Sequence, residues 1–245
     1  MAIQNTDIIV ILNVYKRNLY EEQIEAVLNQ TILPGEILVW QNESHVKFNL
    51  SERIKNNLRQ KKIEVHHIHS ISKNFKFHGR FTLPLLTDKE YVVVLDDDTM
   101  PGRFWFEKCL MICKSNNCIV TANGRKWDHA KEKQIGFEAP VRHDMHVDFG
   151  GHSWFFKKQF IHHMWRESAP TFENGEDMHI SAASKIHGNI QTIMPQQINN
   201  DRSDWGDTKP EKGWDEHASW RKKGHGEERD NLFKNWIKKG WKVIR

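Results

Sequence analysis

At 245 residues, 38% of them hydrophobic, the chain has material for one large α/β domain or two small ones. A formal net charge of +4, with no run of five or more like charges, excludes a nucleic-acid footprint while fitting an anionic ligand. Its 15 histidines are scattered, without H-E-x-x-H or C-x-x-C spacing, which argues against a zinc site.

The N-terminal half reads as alternating strands and helices. Residues 7–14 are an apolar run, hence a buried strand, and Leu19, Ile24, Val27 and Leu28 mark a helix over 19–30. Pro34-Gly35 predicts a turn, and Glu36 to Trp40 a second strand. Residues 51–60 predict a polar helix, Ile63 to Ile68 a third strand, and 75–86 the beginning of a helix. Tyr91 to Leu95 is a fourth strand, apolar enough to be buried on both faces. Alternation with short links implies a mostly parallel, doubly wound α/β sheet with helices on both faces.

The second half is less regular. Ile119 to Ala122 predicts a strand, and Lys126 to His143 a loop. His146 to Phe149 and Ser153 to Phe156 predict strands around Gly150-Gly151, followed by helices over 176–187 and 226–239. Residues 199–224 lack periodicity, and a structureless loop of that length is often a lid. No linker divides the chain, so one domain is expected over 1–245, with a nucleotide-binding half (1–99) and an acceptor-binding half (100–245). Cys109, Cys113 and Cys118 are odd in number, two of them at helical spacing, which argues for free thiols in a reducing compartment. Ile8 to Leu12 is far too short to cross a membrane, and no signal peptide is visible. A soluble, cytoplasmic protein is expected, although a clipped luminal domain would read the same.

Strand four runs directly into Asp96-Asp97-Asp98. Three adjacent carboxylates repel, and a divalent cation such as Mn²⁺ or Mg²⁺ removes the repulsion while keeping sites for phosphates. The carboxyl end of a central strand is where an open α/β sheet binds its ligand. The alternative is an acidic turn. Asn13, Lys16 and Arg17 follow strand one, Asn42 follows strand two, and Arg80 precedes the Asp strand, so all reach the same sheet edge. Each alone reads equally as a solvated loop residue. Glu176-Asp177 opens a helix, where acids stabilise the dipole and where a carboxylate also serves as base, nucleophile or charge stabiliser. His225 and Arg229, four apart, share a helix face and bring positive charge to a diphosphate, or simply cap the surface. Trp154, Trp205, Trp214 and Trp220 are candidates for stacking on a sugar, the middle two as part of a lid.

Taken in order, these segments resemble a GT-A glycosyltransferase, closest to the exostosin-like α-N-acetylhexosaminyltransferase domain, glycosyltransferase family 64. Val14-Tyr15-Lys16-Arg17 resembles the family's Thr-Tyr-Asn-Arg, and Leu38-Val39-Trp40-Gln41-Asn42 its Val-Val-Trp-Asn-Asn. Asn74 and Arg80 resemble the Asn and Arg ahead of the metal strand, and Asp96-Asp97-Asp98-Thr99 its metal-binding Asp-Asp-Asp-Thr. Asn174-Gly175-Glu176-Asp177 resembles its Asn-Cys-Glu/Asp-Asp, and Trp220 with His225 to Arg229 its closing Trp and His-x-x-x-Arg. Two departures stand out: Lys16 replaces an Asn, and Gly175 replaces a Cys.

The resemblance implies a nucleotide-sugar donor, usually a UDP-sugar, with Mn²⁺, a glycan or other hydroxyl acceptor, and retention of configuration. It implies that Asp98, joined by Asp96, holds the metal and that Asp96 and Asp97 contact ribose and sugar. Asn42, Asn74 and Arg80 would contact the uridine, Asp177 would sit beneath the anomeric carbon, and Arg229 would bind the diphosphate. The expected enzyme is a hexosyl- or N-acetylhexosaminyltransferase acting without nucleic acid or an integral membrane segment, and a homodimer is compatible with it. The alternatives are an inverting, family 2-like enzyme of the same fold and a non-catalytic nucleotide-sugar binding module.

Overall fold

The structure, a computed structural model, describes residues 3–244; residues 1, 2 and 245 of the expected domain lie outside the described residues. The first half is built from β1 (Ile3–Val14), α1 (Tyr20–Leu28), β2 (Ile32–Asn42), α2 (Glu52–Lys61), β3 (Glu64–Ser70) and β4 (Tyr91–Leu95). Side chains alternate along a strand. Ile8, Val10 and Leu12 therefore enter the core under α1 and α2, while Ile9 and Ile11 enter a second core on the opposite face. β4 divides the same way, Val93 and Leu95 against Val92 and Val94, all fully buried. Fully burying one such side chain contributes about 1.5–3 kcal/mol. This drives β4 to the middle of the sheet even though it ends in three acids.

The second half supplies α3 (Trp105–Asn116), β5 (Ile119–Thr121), β6 (Gly124–Asp128), β7 (Lys133–Phe137), β8 (Met145–Val147), β9 (Ser153–Lys157), α4 (Phe160–Met164), α5 (Glu176–Gly188), β10 (Thr192–Met194) and α6 (His225–Lys238). The main sheet has the order β3-β2-β1-β4-β9-β5-β10-β8, and β6 and β7 form a separate hairpin. β3, β2, β1 and β4 are mutually parallel, and β9 runs antiparallel between β4 and β5. The chain moves outward from β1 to β3 and then returns to the other side of β1 as β4. The order therefore reverses between β1 and β4, and a crevice opens at their carboxyl ends. A third apolar cluster, with Trp127, Phe149, Leu232, Phe233 and Trp236, joins β6, α5 and α6.

Several expectations are corrected. Pro34-Gly35 lies inside β2, where the pairing with β1 shifts register between Asn5 and Ile9; such an irregularity needs no N–H from proline. Residues 75–86 form two 3-10 turns, Gly79–Phe81 and Leu83–Leu86, because Pro84 disfavours an α conformation at Leu83. Lys126 to His143 contains most of the β6–β7 hairpin, whose polar residues line a cleft. Residues 199–224 are stitched down: Gly102 N–H donates to Trp205 O at 2.8 Å and Thr208 N–H to Met100 O at 2.8 Å. α3, α4 and β10 were not foreseen.

The three cysteines are buried free thiols, and burial pushes Cys113 up to about 11, so they are unreactive packing residues. No helix among the described residues is long and apolar enough to cross a membrane.

One glycine is fixed by close approach. A Cβ on Gly150 would stand 2.1 Å from Asn123 O and 2.3 Å from Thr121 Oγ1. Gly150→Ala therefore forces β5 and the start of β9 apart, a cost of about 1–3 kcal/mol. A thermal melt should show a loss of several degrees.

Candidate functional site

A cleft of about 980 Å³ opens where β1 and β4 end. It is bordered by each of the residues singled out above: Asn13, Arg17, Asn42, Asn74, Arg80, Asp96, Asp97, Asp98, Glu176, Asp177, His225 and Arg229. They come from separate segments, and the topology alone brings them together.

The acidic turn is held rigidly. Asn13 Nδ2 donates to Leu95 O at 2.6 Å, tying the ends of β1 and β4 together. Gln23 Nε2, from α1, donates to Asp96 O at 2.6 Å and Thr99 O at 3.1 Å. Asp96 N–H donates to His152 O at 2.8 Å. His152 has a left-handed backbone (φ 65°), unusual for a residue with a side chain. Through this pairing the His152 ring joins the carboxylates: ligand atoms of Asp96, Asp98 and His152 all lie within 4.8 Å of one another.

Two buried atoms at this point lack a hydrogen-bond partner, Asp98 Oδ1 and His152 Nδ1. Native proteins seldom leave such atoms unsatisfied. Two carboxylates and an imidazole therefore fit a divalent cation, and the hard oxygens favour Mn²⁺ or Mg²⁺. Burial, with Asp96 and Asp97 alongside, pushes Asp98 up to about 7 from an ordinary 3.8.

Arginines neutralise the rest of the acids. Arg17 Nη1 donates to Asp97 Oδ1 at 2.6 Å and lies 3.1 Å from Asp98 Oδ2. Its other edge donates from Nε and Nη2 to Asp215 at 2.7 and 2.6 Å, pinning the 199–224 segment over the turn. Gly213 of that segment lies so close to Asp98 that a Cβ there would be 2.7 Å from Oδ2. Arg80, 4% exposed, donates to Asp96 and, at 2.8 Å, to Glu176 Oε1 while lying over the Trp154 ring. It acts as an internal counter-ion between two acids, and its Nε makes no hydrogen bond.

Burial first, and Asp177 next to it, push Glu176 up to about 7. A carboxyl harder to ionise in the folded than in the unfolded protein contributes stability below about 4.5, and that contribution is lost as pH rises through about 7. Glu176→Gln should therefore flatten the decline in melting temperature between about pH 5 and pH 8 that the parent protein shows.

Asp177 opens α5. Its Oδ1 accepts from Met178 N–H at 2.7 Å, and its Oδ2 accepts from Arg229 Nη2 at 2.6 Å. Arg229 also donates to Asn174 Oδ1 at 3.0 Å and stacks over Phe149. Burial works against the Arg229 charge, and Asp177 more than offsets it. Arg229 is thus placed on a carboxylate. The His225 ring lies 3.5 Å from the Asn174 amide. Asn42 Oδ1 accepts from Phe75 N–H at 3.0 Å and Asn74 Oδ1 from Lys76 N–H at 2.8 Å, so both amides also shape the loop after β3. Trp154 is buried, whereas Trp214 and Trp220 are 62% and 56% exposed and border the cleft.

Sequence reasoning missed His152 and Arg125. His152 was one histidine among fifteen, and its only signal was the adjoining Gly150-Gly151. Arg125 lay next to a segment read as a loop.

No family model matches the chain, and no curated protein matches it. Among solved structures, the crystal structure of S. aureus TarS is similar over 77% of this chain and 36% of that one, with a TM-score of 0.50 at 10% identity. The chain thus spans about a third of that protein's length. The likeness is one of fold: a mostly parallel sheet flanked by helices, a GT-A-type, Rossmann-like architecture.

Proposed function

We propose that this protein is a metal-dependent glycosyltransferase that moves a sugar from a nucleotide-sugar, a UDP-sugar by the resemblance, to a hydroxyl acceptor. One observation carries the reading. A cation-ready cluster with two buried atoms that make no hydrogen bond, one of them His152 Nδ1 at 4.0 Å from Asp207, shares a cleft with an ionic carboxylate–arginine pair at a helix N-terminus. A binding module has no need of both.

Asp96, Asp98 and His152 would hold Mn²⁺ or Mg²⁺, which supplies Lewis-acid charge to the leaving diphosphate. Arg17 and Arg229 border the same cleft, and each would have to turn from its carboxylate to give a phosphate oxygen a forked donor. In the transfer, the bond between the anomeric carbon and the diphosphate oxygen breaks, and its electron pair leaves with the diphosphate. A new bond forms between that carbon and the acceptor oxygen. Asp177 stabilises the positive charge that develops at the carbon. The 199–224 segment, pinned through Asp215, excludes water and so limits hydrolysis of the donor.

The stereochemical course is set by the face from which the acceptor oxygen attacks, and that face decides which group takes its proton. Both oxygens of Asp177 are engaged by Met178 and Arg229. That suits an electrostatic role with the proton passing to the departing diphosphate, the retaining course. Inversion is the second reading, favoured by Glu176 being committed to Arg80, which leaves Asp177 as the carboxylate for proton transfer on this side of the cleft. It requires Arg229 to turn from Asp177 to the diphosphate, freeing Asp177 as general base.

A screen of nucleotide-sugars with Mn²⁺, reading released nucleotide with and without EDTA, tests the proposal. Metal-dependent UDP release is expected. Release only from GDP- or CMP-type donors removes the UDP assignment, and release that ignores EDTA removes the metal. The anomeric configuration of the product by NMR decides between the two courses.

A further inference from the structure

The backbone of His152 is fixed, since its O accepts from Asp96 N–H at 2.8 Å. What aims its ring is a separate matter. The side chain is 36% exposed, yet Nδ1 is buried and makes no hydrogen bond. The open part of the ring is therefore the part away from Nδ1, and the residue borders the cleft. Nδ1 faces inward and lies 4.0 Å from Asp207 Oδ2. That separation is too long for a hydrogen bond, and a shift of about 1 Å makes one.

Asp207 is itself held in place. Its Oδ1 accepts from Met100 N–H at 3.1 Å and from Lys209 N–H at 3.0 Å. Thr208, next in the chain, donates to Met100 O from its N–H at 2.8 Å and from Oγ1 at 3.0 Å. Met100 follows Asp98 by two residues, so Asp207 and the acidic turn belong to one stapled unit. Oδ1 alone satisfies both backbone donors, and the oxygen of an Asn amide would serve them equally. The second carboxylate oxygen is surplus to the fold. It faces His152 on a side chain only 10% exposed. An imidazole that binds a metal has a use for such an acceptor. The hydrogen bond made by one ring nitrogen fixes the tautomer and leaves the other nitrogen open to the metal.

We propose that Asp207 is the positioning residue of the metal centre. Its Oδ2 accepts the Nδ1 proton of His152, which leaves Nε2 unprotonated and turned toward the cation between Asp96 and Asp98. The 199–224 segment is then a working part of the metal site as well as its cover. The inference rests on the metal-dependent reading and adds the residue that makes His152 a ligand.

The test titrates Mn²⁺ into the whole protein by calorimetry, alone and with UDP. Asp207→Asn keeps an oxygen for Met100 and Lys209 but turns an amide N–H toward Nδ1, which drives the ring proton to Nε2. Its Mn²⁺ affinity should fall about 10–100-fold, with the melting temperature of the metal-free protein unchanged. His152→Gly removes the ring while suiting the left-handed backbone (φ 65°), and its affinity should fall by at least as much. Adding Asp207→Asn to His152→Gly should change the affinity by less than about twofold, because both act through one ring. Spin-echo EPR of bound Mn²⁺ should detect an imidazole nitrogen in the parent and none in Asp207→Asn. If Asp207→Asn does not fold, Asp207→Ser takes its place, keeping an acceptor for the backbone while withdrawing Oδ2. Parent-like affinity in either single variant, or an Asp207→Asn loss that recurs in full beside His152→Gly, overturns the assignment and leaves Asp96 and Asp98 as the metal's ligands. A parent spectrum without an imidazole nitrogen does the same. Failure of the parent to bind Mn²⁺ in either condition overturns the metal reading with it.

Discussion

Asp98→Asn abolishes Mn²⁺-dependent UDP binding, with a loss of at least about 100-fold, since even an outer-shell change at a metal site costs 10–100-fold. The argument starts from the strand. β4 is buried on both faces and delivers Asp98 to the switch point of the sheet. There its Oδ1 finds no protein donor, and its Oδ2 is shared only with Arg17. Folding gains nothing from this carboxylate, which burial and its acidic neighbours hold near 7. An amide removes a buried charge, so the melting temperature of the metal-free variant at pH 8 should equal or exceed that of the parent. Function and stability then move in opposite directions, as expected where a site is kept at a cost to the fold. Titration calorimetry and a thermal melt check the pair. Parent-like Mn²⁺ affinity in the variant removes Asp98 from the metal site.

Asp177→Asn leaves the UDP affinity within about twofold and lowers turnover by about 100-fold or more, equivalent to about 2.7 kcal/mol of transition-state stabilisation. The carboxylate is outside the metal cluster, so the donor contacts made through the metal do not depend on its charge. It is held in place by Met178 N–H and by Arg229, contacts that an Asn side chain keeps in part. What the variant loses is the negative charge facing the reacting carbon, or the proton acceptor on the inverting course. Initial rates of UDP release with acceptor present, beside a binding isotherm, separate the two effects. Undiminished turnover removes Asp177 from the chemistry.

The legibility of this chain follows burial. β1 and β4 were readable because both faces are buried, so an unbroken apolar run is what the physics requires. The acids at the end of β4 were readable for the opposite reason, as nothing in folding explains three of them together. α3 was missed although Trp105, Phe106, Cys109, Leu110 and Cys113 form its buried stripe; the cysteine spacing was used only as evidence on redox state. The β6–β7 hairpin was read as a loop because one face borders a wet cleft, so its polar residues broke the alternation that marks an ordinary strand. β10 has three residues, too few for a period. Arg80 and Arg229 were expected as ligand contacts. The structure pairs them with Asp96, Glu176 and Asp177, because buried carboxylates need a counter-charge and these guanidiniums lie beside them. His152 was out of reach, since its role depends on a backbone pairing between Asp96 and the residue before β9.

The central claim is that the end of β4 holds a divalent cation which in turn holds a diphosphate. Diffraction at the manganese absorption edge, from crystals grown with Mn²⁺ and UDP, measures this directly. An anomalous peak bounded by Asp96, Asp98 and His152 and touching the diphosphate is expected. An ordered UDP with no peak there, and Arg17 still bridging Asp97 and Asp98, would contradict it.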